Sequence, residues 1–210
     1  MIAIGLVVLG GRPAPSTSAG TLVDPPTSWA GSVTDGETAG RPDTPVAMAL
    51  YADFQCPVCG RFVREQLGLL KSEFIDTGIL RIEARDIAIL GSGSPDESLE
   101  LAVGARCAAE QARYWPFHDL VYWNQMRENR GDYDASFIAS VAAHSGVGMG
   151  DWEACVAGDD ARTAIRSATS AAHRAGVNAT PTIVLNGSTP VAGLPDAEKL
   201  AAQIRALALP

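Results

Sequence analysis

The sequence has no cluster of Lys and Arg: 16 basic residues against 24 acidic ones leave a net charge of −8. Phosphate binding needs a concentrated basic face, so nucleic acid is excluded as the main partner. Histidine is scarce, and the three residues, His118, His144 and His173, show no close-pair spacing for a metal. A Met- or His-rich set that would hold copper(I) beside a thiol is missing as well. No internal repeat is visible. The apolar start, IAIGLVVL over residues 2–9, is too short to span a bilayer, and no basic region precedes it as in a complete signal peptide.

What is present reads as a globular chain of 210 residues, 47% hydrophobic and 19% charged. Residues 1–11 are expected to be the trimmed end of a membrane anchor or signal segment, with an ordinary first strand as the alternative. Residues 12–45 are rich in Pro, Gly, Ser and Thr, the composition of a flexible stalk. A greasy start, a polar stalk and then a folded domain from 46 to 210 suggest a protein held outside a membrane.

Within the domain, VAMALYADF (46–54) is almost wholly apolar and predicts a central strand buried on both faces. A helix follows, with Cys59, Phe62, Val63, Gln66, Leu67 and Leu70 on one stripe and Pro57 in its first turn. A second strand is predicted over 79–87. Helical spacing then runs through 97–113, 116–128, 133–144, 151–157 and 159–175. TPTIVLNG (180–187) reads as strand and turn, followed by a short strand at 190–193 and a helix over 196–207. Without the helices at about 95–157, the order is that of thioredoxin; the architecture resembles an α/β thioredoxin fold with a helical insertion.

The chain has four cysteines, Cys56, Cys59, Cys107 and Cys155, and the count alone permits three pairings. Cys56 and Cys59 stand two residues apart where a helix begins. Unpaired N–H groups and the positive end of the dipole stabilise a thiolate there, and thiolate is the form that attacks disulfides. Cys59 lies one turn along and more buried. Cys56 is therefore the expected exposed nucleophile and Cys59 the resolving thiol. Zinc needs four ligands in close pairs, which are missing, and a purely structural bridge this short would stabilise little.

YADFQCPVC, with ATPTIVLNG some 120 residues later, resembles the DsbA family of thiol–disulfide oxidoreductases. The likeness is to the anchored BdbD-like type and to the thioredoxin domains fused to vitamin K epoxide reductase homologues. YWPFHDLVYWNQ (114–125) is similar to the family's inserted helices. The resemblance implies a thioredoxin fold with a DsbA-like insertion and Cys56 and Cys59 as the active pair around Pro57 and Val58. It further implies Pro181 as a cis-proline facing them, with Thr180 offering backbone to a substrate, and a structural Cys107–Cys155 disulfide. No cofactor or metal is implied. The activity implied is extracytoplasmic oxidation of reduced, unfolded secreted proteins, with reoxidation by a membrane partner of the DsbB or vitamin K epoxide reductase kind. Reductase or isomerase chemistry by the same pair, and a copper-binding or docking module, are the alternatives.

Two positions depart from the family's best-known pattern. Val58 stands where a histidine helps hold the thiolate, and Leu50 stands six residues before Cys56, where an acid is usual. Asp53 is read mainly as a turn former ending its strand, with proton handling as a second possibility. Trp115, Phe117, Tyr122 and Trp123 are read as core, His118 as a surface or capping residue, and His144 and His173 as helix-end residues.

Overall fold

The computed structural model describes residues 21–209; the apolar segment 1–11 and the first part of the stalk lie outside the described residues. The first strands are short: β1 (Thr34–Asp35) and β2 (Thr38–Ala39). The central strand β3 (Val46–Ala52) runs parallel to β4 (Leu80–Asp86), with Val46 opposite Leu80 and Ala52 opposite Asp86. On the other side β3 pairs antiparallel with β5 (Thr182–Leu185), which pairs with β6 (Val191–Ala192). The sheet order is β1-β2-β4-β3-β5-β6.

Strand β3 is buried on one face and half-covered on the other, not buried on both as its composition predicts. Val46, Met48, Leu50 and Ala52 enter the main core, while Ala47, Ala49 and Tyr51 point the opposite way. Two alanines at the outward positions make an alternating strand look like a continuous apolar run.

Helix α1 (Pro57–Phe62) leads through a π-helical turn (Val63–Leu67), α2 (Gly68–Leu70) and a second π-helical turn (Lys71–Ile75). The helical insertion is α3 (Glu97–Ala109), α4 (Tyr114–Trp123), α5 (Ala135–Ser145) and α6 (Met149–Ala157). The chain returns through α7 (Asp160–Arg174), crosses β5 and β6, and ends in α8 (Ala197–Leu207). Asp96, Asp134 and Asp196 cap α3, α5 and α8 with side-chain oxygens, each accepting an N–H in the first turn. Helix α4 stops at Trp123, short of the expected residue 128, because the Asn124 amide turns back to donate to the Leu120 carbonyl at 2.8 Å.

The stalk assigned to 12–45 is corrected in its described part. Trp29 is only 8% exposed. Its ring lies 4.5 Å from that of Trp115, and its Nε1 donates to Asp119 Oδ2 at 2.8 Å. Asn124 exchanges two hydrogen bonds with the Val23 backbone. Strand β2 pairs with β4, and a Cβ on Gly40 would stand 2.5 Å from the Leu80 carbonyl oxygen, so the chain passes where only glycine fits. One tryptophan and one close-packed glycine bind this stretch, and composition averages both away.

Candidate active site

The chain leaves β3 at Ala52 and turns into α1 within four residues. Cys56 is the residue before the helix, extended at φ −67° and ψ 116°, and Pro57 occupies the first helical position. The Cys56 N–H donates to the Asp53 carbonyl at 2.9 Å and the Cys56 carbonyl accepts from Gly60 N–H at 3.0 Å. Cys56 and Cys59 are unbonded thiols. The expectation of an openly exposed Cys56 is corrected: it is 5% exposed against 1% for Cys59. The loop before β5 covers it, and the Cys56 thiol donates to the Thr180 carbonyl at 3.3 Å. The Thr180–Pro181 peptide is cis.

The two sulfurs are electrostatically unequal. The Cys56 thiol is pulled down to about 6, first by the Cys59 thiol hydrogen-bonded to it; burial opposes this, and the Thr180 side chain and the N–H groups of Cys59 and Val58 reinforce it. Burial, then the neighbouring Cys56, pushes the Cys59 thiol well above its ordinary value. Arg61 is paired to Glu65 and Arg64 donates to the Tyr122 carbonyl, so backbone dipoles and neighbouring hydroxyl and thiol groups stabilise the thiolate.

Asp53 ends the strand, and it is also a buried hub, 1% exposed. Its Oδ1 accepts from Gln55 N–H at 2.9 Å and Ser98 Oγ at 2.8 Å, and its Oδ2 from the N–H groups of Ile89 and Leu90 at 2.9 and 3.0 Å. Burial pushes this carboxyl up despite those four donors. Gln55 continues the network: its Nε2 donates to Ser98 Oγ at 2.9 Å and its Oε1 accepts from Asn129 N–H at 2.7 Å. In DFQC, therefore, Asp53 and Gln55 tie the turn to the loops at 89–92 and 124–133.

The inserted helices grip the same turn. Phe54 stacks on Tyr122 at 5.1 Å and meets His118 at 5.9 Å, edge to face. The Tyr122 hydroxyl donates to the Asp53 carbonyl at 3.1 Å, and Gln125 Nε2 lies 2.9 Å from the carbonyl oxygens of both Phe54 and Cys56. His118 is not a surface residue. It is fully buried among Phe54, Tyr114, Trp115 and Tyr122, with Nδ1 2.8 Å from Asp119 Oδ1. Trp115, Phe117 and Tyr122 are buried with it, while Trp123 is half-buried. Away from this site, a disulfide of 48-residue separation joins Cys107 in α3 to Cys155 in α6. Gln55, Ser98, Gln125 and Asn129 carry no motif that singles them out, although Gln125 closes the YWPFHDLVYWNQ stretch.

A dithiol pair at a helix start, facing a Thr–cis-Pro loop on a thioredoxin fold with inserted helices, defines the DsbA-like class of thiol–disulfide oxidoreductases. The chain belongs to the thioredoxin family, whose model matches residues 32–206. It is similar to a probable disulfide bond formation protein D of Bacillus cereus, 23% identical over 155 residues covering 72% of this chain and 70% of that one. The crystal structure of oxidised BdbD from Bacillus subtilis shares the fold, with a TM-score of 0.73 at 17% identity over 89% of this chain and 98% of that one. The reduced disulfide bond oxidoreductase DsbG of Mycobacterium tuberculosis is 28% identical, with a TM-score of 0.67 over 83% and 85% of the two chains.

Proposed function

We propose that this chain is an extracytoplasmic oxidase that passes a Cys56–Cys59 disulfide to reduced, unfolded secreted proteins. The observation that carries the reading is the inequality of the two thiols. A reduced pair whose outer sulfur rests as a thiolate favours the dithiol state, and that makes its disulfide a good oxidant. A substrate thiolate attacks Cys56 Sγ, the Cys56–Cys59 bond breaks, and Cys59 leaves and takes up a proton. A second substrate thiolate then attacks the substrate sulfur of the mixed disulfide and releases Cys56 as thiolate. The substrate loses two electrons and the pair gains them.

In this reading the Thr180–Pro181 loop, already hydrogen-bonded to Cys56, receives the extended substrate backbone, and Pro57 and Val58 form the rim. The Cys107–Cys155 bridge suits an oxidising compartment. Among the described residues no helix is long and apolar enough to cross a membrane. Tethering, in this reading, comes from the anchor of which the N-terminal apolar segment is the trimmed end. A membrane partner of the DsbB or vitamin K epoxide reductase kind reoxidises the pair.

The test is the Cys56–Cys59 reduction potential against glutathione, together with oxidation of a reduced, unfolded test protein. An oxidising potential and a Cys56→Ser variant without activity are expected. A potential near that of thioredoxin would reverse the direction to reductase.

A further inference from the structure

The start of α1 is held from outside the thioredoxin core. Three carbonyls at or just before the nucleophile in sequence, those of Asp53, Phe54 and Cys56, each accept a hydrogen bond from Tyr122 near the C-terminal end of α4 or from Gln125, two residues beyond it. Tyr122 supplies one donor. Gln125 supplies the others: the two N–H groups of its amide point at Phe54 O and Cys56 O, both at 2.9 Å. Those two carbonyls lie on either side of the turn that aims the Val58 and Cys59 N–H groups at Cys56 Sγ. The Cys56 carbonyl also accepts the helical bond from Gly60, whereas the Phe54 carbonyl, on a residue 1% exposed, has Gln125 as its donor.

The packing is specific to this amide. A Cβ on Gly60 would collide with Gln125 Oε1, so glycine after Cys59 makes room for the Gln125 side chain. Arg64 completes the enclosure: its Nη1 donates to the Tyr122 carbonyl at 2.6 Å and lies 3.5 Å from Gln125 Oε1. The amide is therefore oriented by its neighbours, with both donors toward the turn and its oxygen toward the guanidinium. A carbonyl bound to a donor also presents less negative potential to a nearby anion, and here the nearby anion is the Cys56 thiolate.

We propose that Gln125 is a positioning residue for Cys56: its side-chain amide clamps the Phe54 and Cys56 carbonyls and so orients the backbone N–H groups that hold the thiolate. This deepens the functional reading given above and rests on Cys56 being the nucleophile. The insertion thereby tunes the reactivity of a cysteine that belongs to the thioredoxin core.

The test uses Gln125→Met, which preserves length and volume but has no donor, and Gly60→Ala, which displaces the same amide from the opposite side. The rate of Cys56 alkylation in the reduced full chain is followed against pH. The expected result is a rise of about one unit in the Cys56 pKa for each variant, cutting the thiolate fraction at pH 6 about five-fold. Because both variants break one contact, the double variant should shift no further than either single. A Gln125→Met profile superimposed on the wild type, or additive shifts in the double variant, overturns the proposal. If Gln125→Met does not fold, Gly60→Ala decides alone, with an unshifted profile as the adverse result. Wild-type protein that shows the low pKa yet cannot oxidise a test dithiol would sink the oxidase reading and leave the clamp standing.

Discussion

The Cys56 thiol donates to the backbone carbonyl of Thr180, 124 residues along the chain, at 3.3 Å. That bond is open to the protonated Cys56 thiol alone, because a carbonyl cannot stabilise the thiolate in which the reduced pair rests. Stabilisation falls to the Cys59 thiol, the Thr180 side chain and the first N–H groups of α1. Cys56 should therefore react with iodoacetamide at mildly acidic pH well before Cys59, whose thiol is buried and pushed up. Preferential labelling of Cys59 would reverse the roles.

Val58 sits over the first turn of α1 and offers the thiolate neither a charge nor a side-chain hydrogen bond. Val58→His should lower the Cys56 pKa by on the order of 1 unit, about 1.4 kcal/mol in favour of the reduced state. The disulfide should become more oxidising by about 30 mV, which corresponds to the same energy. Titrating the thiolate absorbance of both proteins checks the sign, and an unchanged or higher pKa refutes this account of the site's redox strength.

Asp86 ends β4 with its carboxyl buried, and Tyr114 donates to Oδ1 at 2.9 Å. Burial is the main cause that pushes this acid up to about 8. Its folded value lies above the unfolded one of about 3.9, so the folded state holds the proton between them. The stability it contributes is complete below about pH 4 and declines as pH rises through 8. Asp86→Asn keeps an acceptor for Tyr114 and cannot ionise. Its unfolding free energy from urea titrations should pull ahead of the wild type between pH 5 and pH 8, by on the order of a few kcal/mol. Parallel curves across that range would show that Asp86 titrates normally.

Trp29 should be structural despite its Pro/Gly-rich surroundings. Trp29→Ala opens a large hole beside Trp115 and removes a donor from Asp119, and should cost about 3–5 kcal/mol. Trp29→Phe isolates the hydrogen bond and should cost about 1–3 kcal/mol. Denaturation midpoints measure both; a Trp29→Ala loss under 1 kcal/mol would restore the stalk reading.

The Cys107–Cys155 bridge joins α3 to α6 and closes a loop of 48-residue separation around α4 and α5. Replacing both by Ala should cost on the order of 3–4 kcal/mol on the chain-entropy account. Because the reduced pair is favoured by its stabilised Cys56 thiolate, mild reductant should open Cys56–Cys59 while it leaves the Cys107–Cys155 bridge intact. Four free thiols after mild reduction would contradict this.

The elements with a periodic signal were legible in the sequence: the strands at β3 and β4, the apolar stripe after Cys59, and the terminal helix. The cysteine spacing, with Pro57 in the first turn, pointed to the candidate site because the chemistry expected there depends on local geometry. The rest depends on pairings distant in sequence. Asp53 looks like a turn former until Ser98 and the Ile89 and Leu90 N–H groups converge on it. His118 beside Asp119 reads as a polar surface pair, and only the rings around it show that it is core. Two π-helical turns between Val63 and Ile75 shift the phase of the stripe without leaving a composition signal.

The placement of β5 next to β3 has a temporal consequence. Synthesis delivers the chain from its N-terminus, so Cys56, Cys59 and Cys107 emerge before Cys155 and long before Thr180. The central strand lacks one neighbour until Thr182–Leu185 arrives and pairs with it. Until then Cys56 has helix dipoles but no Thr180 loop across it, and a long loop must close before the two meet. A newborn chain thus carries reactive sulfur without the geometry that directs it. Maturation requires that Cys107 find Cys155 rather than either active-site thiol, and the last quarter of the polypeptide completes the site.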